Sequence, residues 1–98
     1  MPNRNYVRGR QAEYKARRQL EQEKWSTHRS AGSHGVDLVC IRGTPLELLH
    51  DLLYVSVKSG KRRPGKRDLQ ELRRALPRSV PREIWYYAPR QPVEIIPV

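Results

Sequence analysis

The stretch LLYVSVKSGK, from Leu52 to Lys61, reads as a buried strand that ends on a lysine and runs straight into a basic loop. Alternation from Leu53 to Lys58 puts Tyr54, Ser56 and Lys58 on one face and Leu53, Val55 and Val57 on the other. A polar face inside a sheet must meet polar partners. Two acids are placed to supply them. Asp37 opens the preceding apolar strand, VDLVCIR. Glu13 lies on a helix predicted from Tyr6 to Lys24, where Tyr6, Gly9, Glu13, Ala16 and Leu20 recur at spacings of three and four. Glu13 is the only charge on that stripe, which requires either a partner for the carboxylate or a half-exposed place at the edge of the stripe.

The flanking segments complete an α/β pattern. WSTHRS is a first strand, and the small residues from Ser30 to Gly35 form a turn before VDLVCIR. Thr44, Pro45 and Glu47 match a helix start, followed by either a short helical turn or a long hairpin. Either would bring Leu53 to Lys58 back antiparallel beside VDLVCIR. After the strand, KSGKRRPGKR concentrates cations on a loop near 59–67, expected to be exposed and mobile. Asp68 and Glu71 read as a capping box for a second helix that presents Leu69, Leu72 and Leu76 to the core, and Pro77 and Pro81 end it. EIWYYA and VEIIPV are two further strands, with Trp85, Tyr86 and Tyr87 covering the sheet or building a subunit interface. The order is helix, three strands, helix, two strands, which implies one domain over 1–98 with a mixed central sheet flanked by helices.

Composition limits the partners. Ninety-eight residues make a thin core, so a second copy of the chain is an expected source of buried surface. Twenty Lys and Arg against ten Asp and Glu leave a formal charge of +10, which suits nucleic acid. The long helix carries charge around most of its circumference, which argues against a membrane-surface role. Cys40 alone makes no disulfide, and no apolar run approaches membrane length or a secretion signal. A soluble protein of a reducing cytoplasm is expected. His28, His34 and His50 lack metal-ligand spacing with Cys40 or each other, and neither an acyl-transfer triad nor a glycine-rich nucleotide loop is present.

Brought together, Glu13 and Asp37 would offer oxygen ligands to a hard cation such as Mg²⁺, with the Lys58 ammonium beside them. That is the chemistry of phosphodiester hydrolysis. RGRQAEYKARRQLE on a helix, a strand, a glycine- and serine-rich turn, VDLVCI and then VSVKSGK together resemble the archaeal-type Holliday junction resolvases of the PD-(D/E)xK nuclease superfamily. The similarity runs roughly from Arg4 to Leu76. It implies the restriction-endonuclease-like nuclease fold and a homodimer that uses Mg²⁺, or Mn²⁺ in its place, to cut opposing strands of a four-way DNA junction. Glu13 matches the family's helix glutamate, Asp37 its metal-binding aspartate and Lys58 its catalytic lysine. Arg8 and Gly9 match its N-terminal basic segment, and Ser30 or Ser33 its loop serine. Bacteriophages also carry such resolvases, in which case the host cytoplasm is the expected location.

At one point the chain departs from that pattern. The family writes an acid two residues before the lysine, where this sequence has Ser56. A neutral hydroxyl is a poor ligand by comparison. Three explanations stand: Glu71 on the following helix fills the position, as in some restriction enzymes of the superfamily; Glu13 and Asp37 suffice with waters; or the site is silent. Arg4, Arg8, Arg10 and Arg29 with Lys61, Arg62, Arg63, Lys66 and Arg67 are the expected phosphate contacts. They predict salt-sensitive binding with little base readout.

Overall fold

The computed structural model describes residues 4–30, 33–43 and 51–98, with side chains described from Val7 onward except at Ser33. The predicted helix start at Thr44, Pro45 and Glu47, His50, and the side chains of Arg4, Tyr6 and Ser33 lie outside the described residues. Elements follow in the order α1 (Arg4–Gln22), β1 (Ser26–Arg29), a short 3-10 turn (Ser33–Gly35), β2 (Leu38–Arg42), β3 (Asp51–Ser59), α2 (Lys66–Arg73), β4 (Arg82–Tyr87) and β5 (Glu94–Pro97). The strands form one sheet in sequence order, antiparallel except for β3 beside β4, which the α2 crossover makes parallel.

The two helices cover opposite faces because strand alternation divides the apolar residues between them. On the α1 face, Ala16 and Leu20 pack with Leu38, Cys40, Leu53, Val55 and Trp85. On the α2 face, Leu72 and Ala75 pack with Val36 and Ile84, and Val39 and Tyr54 border them. Leu20 is wholly buried, so trimming it to alanine would cost about 2–5 kcal/mol. Trp85 and Tyr86 are both buried, so this pair belongs to the core and not to an exposed interface. Cys40 is wholly buried too, and that burial, with the Glu83 charge nearby, pushes its thiol up to about 12. No helix among the described residues is long and apolar enough to cross a membrane.

Three local expectations are corrected. The buried stripe of α1 is Ala12, Ala16 and Leu20, while Gly9 is exposed, so Glu13 sits at the stripe's edge. The cap of α2 falls one turn earlier than the predicted Asp68 and Glu71 pairing. Gly65 is the N-cap and donates its N–H to Asp68 Oδ2 at 3.0 Å, leaving Glu71 within the helix. A glycine has no side chain to announce a cap, and the carboxylate reaching back to it is the only side-chain signal. Leu76 is 71% exposed because helical periodicity stops at Arg73, and Ala75 fills the core position instead.

The end of α2 is held by an arginine that no local pattern announces. Arg82 is 6% exposed, and its guanidinium donates to the carbonyls of Leu72, Arg73, Ala75, Pro77 and Val80 at 2.8–3.1 Å. Those carbonyls are the acceptors a helix end and its exit turn leave over. Tyr54 completes the arrangement, donating its hydroxyl to the Leu76 carbonyl at 2.7 Å.

Candidate active site

Asp37 stands just ahead of β2 and is fixed by backbone bonds on both sides. Its N–H donates to the Val55 carbonyl and its own carbonyl accepts from Ser30, both at 2.9 Å. With Leu38 opposite Val55, the antiparallel register brings Asp37 alongside Ser56 and Val57. Asp37 Oδ2 accepts the Val57 N–H at 2.7 Å, a short charge-assisted bond. Burial nevertheless raises the Asp37 carboxyl above the usual carboxylate range, and the neighbouring Glu13 charge raises it further. The Val57 N–H, the Lys58 ammonium and the Ser56 hydroxyl act in the opposite sense.

Glu13 comes to this place from α1. Its Oε1 meets Arg29 Nε at 2.7 Å, and the glutamate side chain is 19% exposed. Arg29, at the end of β1, therefore supplies the partner that a carboxylate on a helix stripe requires. Around them Arg10, Arg17 and Tyr14 complete a pocket of about 170 Å³, in which Glu13 is the one acid of the lining.

Lys58, near the end of β3, carries the opposite charge. Its ammonium lies 3.8 Å from Asp68 Oδ1, both side chains being 40% exposed. Asp68 was missed as a neighbour of the site because its proximity depends on where α2 begins. Ser56 is 2% exposed, so it contributes a buried hydroxyl beside Asp37. The structure thus gathers Glu13, Asp37, Ser56 and Lys58. Glu71 goes elsewhere: its carboxylate faces His34 Nδ1 at 3.4 Å and is not among the groups acting on Asp37. His34 stands in the 3-10 turn with φ 54°, followed by Gly35 at φ 77°, a left-handed pair that suits a glycine in the second place.

The loop expected to be mobile is tied at several points. The Gly60 carbonyl accepts the Tyr86 hydroxyl at 2.6 Å, and Arg63 forks onto Glu94 with contacts of 3.1 and 2.9 Å. Pro64 is buried, and Lys61, Arg62, Lys66 and Arg67 are exposed. Arg8 and Arg10 are exposed along α1.

Among the described residues no three histidine, cysteine or acidic side chains gather as a metal cluster. The donors that do converge still suit a hard cation. They are oxygen atoms, and Asp37 is held under an adjoining negative charge that a cation would relieve.

This architecture is the restriction-endonuclease-like α/β nuclease fold, a mixed five-stranded sheet between two helices. Among solved structures, the chain is similar to that of Archaeoglobus fulgidus Hjc, a Holliday junction resolvase from an archaeal hyperthermophile. The TM-score is 0.65 at 20% identity, covering 92% of this chain and 72% of that one. At that identity the likeness establishes the fold. No protein-family model and no curated protein matches the chain.

Proposed function

We propose that this protein is a Mg²⁺-dependent, structure-selective DNA endonuclease that acts on four-way junctions as a homodimer. The observation that carries the reading is the meeting of Glu13, Asp37 and Lys58 at the rim of a nuclease-type sheet, two acids and a cation on one partly buried spot. Asp37 and Glu13 would hold Mg²⁺, or Mn²⁺ in its place, with waters filling the remaining positions. The bound ion would neutralise charge building on the scissile phosphate. Asp37 is oriented for this by the Val57 N–H and the Ser56 hydroxyl. Lys58 places a positive charge where an attacking hydroxide and the phosphate oxygens would need it.

Arg29 pairs with Glu13 and is 56% exposed, so a phosphate entering the site could draw it away from the glutamate. Arg8, Arg10, Lys61, Arg62, Lys66 and Arg67 would contact further phosphates. Two symmetric copies would make paired nicks on opposing strands. The buried thiol and the lack of any disulfide suit a reducing cytoplasm, a host's if the gene is a phage's.

A second reading draws on one observation. Ser56 is almost wholly buried, and no third acid joins Glu13 and Asp37 among the described residues. A DNA-binding protein that kept the nuclease scaffold without cutting would look the same at this point. One experiment separates the two. A synthetic immobile four-way junction, a flap, a nicked duplex and a linear duplex are incubated with the protein in Mg²⁺ or EDTA, with Asp37→Asn alongside. Paired nicks confined to the junction, dependent on Mg²⁺ and lost in the variant are the expected result. Cleavage of flaps or nicked DNA at equal rate would redirect the substrate assignment. Tight binding that ignores the metal and never produces a nick would establish the noncatalytic alternative.

A further inference from the structure

The basic segment between β3 and α2 contains an acid-bound arginine that does not behave like its neighbours. Arg63 directs Nε and Nη2 at both carboxylate oxygens of Glu94, at 3.1 and 2.9 Å, in a fork across 31 residues of sequence. The Arg63 guanidinium holds Glu94 below the usual carboxylate range, so the acid stays charged at neutral pH. Glu94 itself is fixed, because it opens β5 and pairs in register with Tyr86 of β4. Tyr86 in turn donates its hydroxyl to the Gly60 carbonyl at 2.6 Å, and the Gly60 N–H reaches the Tyr87 carbonyl at 3.2 Å. At the far end, the Gly65 N–H is held by Asp68 at 3.0 Å. The segment is tied at its entry, its middle and its exit.

Between these ties lies a pocket of about 470 Å³ whose charged lining is Lys58, Arg62, Arg63, Lys66 and Arg67 with one acid, Asp68, which stands 3.8 Å from the Lys58 ammonium. From this arrangement we infer that Glu94 is a positioning residue: through Arg63 it holds the 60–67 segment as a preformed cradle for a nucleic-acid backbone phosphate beside Lys58. Arg63 then serves the shape of the cradle, while Arg62, Lys66 and Arg67 meet the phosphate. This rests on the proposal that the basic face binds DNA, and adds which residue presets it.

Two physical effects of removing Glu94 have opposite signs, which makes the inference easy to break. Deleting an acid from a basic face raises the net charge by one unit and should strengthen phosphate binding. Releasing a preset loop means that its ordering must be supplied on binding, which should weaken it. We expect the second to win, with Glu94→Ala binding a labelled four-way junction about fivefold more weakly than wild type.

Binding is followed by fluorescence anisotropy in EDTA at two salt concentrations, with thermal melts of each protein. The charge-swapped double variant, Arg63→Glu with Glu94→Arg, keeps the wild-type net charge and should bind within about twofold of wild type. Equal or tighter binding by Glu94→Ala, with a steeper salt dependence, would show that the acid merely masks Arg63 and would overturn the inference. So would a charge-swapped protein that melts normally yet binds as weakly as Glu94→Ala. If the wild type itself failed to bind DNA, the nucleic-acid reading would fall first and this inference with it.

Discussion

Asp37 and Arg82 are both charged side chains sunk into the same sheet, and their surroundings differ. Arg82 finds five carbonyl contacts within 3.1 Å, so its charge is spread over groups that needed a donor. Asp37 accepts one short backbone bond, has Ser56 and Lys58 beside it, and faces the negative charge of Glu13. Its carboxyl is raised, so the fold does not fully compensate the ionised form. The difference separates two uses of buried charge. A fully satisfied group holds structure together, whereas an under-compensated one is poised for something that arrives later.

That contrast can be broken most severely at Arg82. Arg82→Ala would strand several helix-end carbonyls and should cost about 3–5 kcal/mol, much of the stability of a domain this size. A thermal or urea melt would show it. Little loss would mean that water replaces the guanidinium and that Arg82 is not the structural member of the pair.

Asp37→Asn should do the reverse. Asparagine can still accept the Val57 N–H, so the fold survives, while junction nicking should fall by about a thousandfold or more. The variant should also melt a little higher at neutral pH. The sign follows from linkage: a carboxyl whose folded pKa is raised destabilises the native state above that pKa, and the penalty disappears as pH falls toward the unfolded value of 3.8. The gain over wild type should therefore shrink on acidification. A variant less stable than wild type at neutral pH would contradict the account of Asp37 as under-compensated.

Ser56→Asp sharpens the same point. A third carboxylate beside Glu13 and Asp37 should destabilise the protein by roughly 1–3 kcal/mol in EDTA, and Mg²⁺ should restore part of it. Melts with and without the metal give the test; an unchanged difference between the two conditions would count against cation binding at this place.

The smallest effect is expected at Tyr87, whose buried hydroxyl has no hydrogen-bond partner among the described residues and whose phenol burial pushes up to about 12. Tyr87→Phe should be neutral or stabilising by up to about 1 kcal/mol. A clear loss of stability would show that the hydroxyl has a role beyond filling space.

Legibility in the sequence followed the range of each interaction. Order and type of the elements were readable from hydrophobic period, and so was the antiparallel return of β3 beside β2, because these depend on residues a few positions apart. The alternation in LLYVSVKSGK correctly divided Leu53 and Val55 from Tyr54. The start of α2 was misjudged, since Gly65 gives no side-chain cue, and that error hid the approach of Asp68 to Lys58. Glu71 was a candidate ligand only through the resemblance to restriction enzymes that fill the position from the following helix, and the 3-10 turn sets His34 against it.

Sequence by itself determined which side chains share a strand face or a helix stripe, the basic balance of the chain, and the candidate set Glu13, Asp37 and Lys58. Only the tertiary structure decided which charges are neutralised: Arg29 on Glu13, Arg63 on Glu94, and Arg82 on the end of α2. The reason is physical. Period and propensity act within a few residues, whereas the partner of a charge is chosen by burial and by whatever distant segments packing brings within about 4 Å.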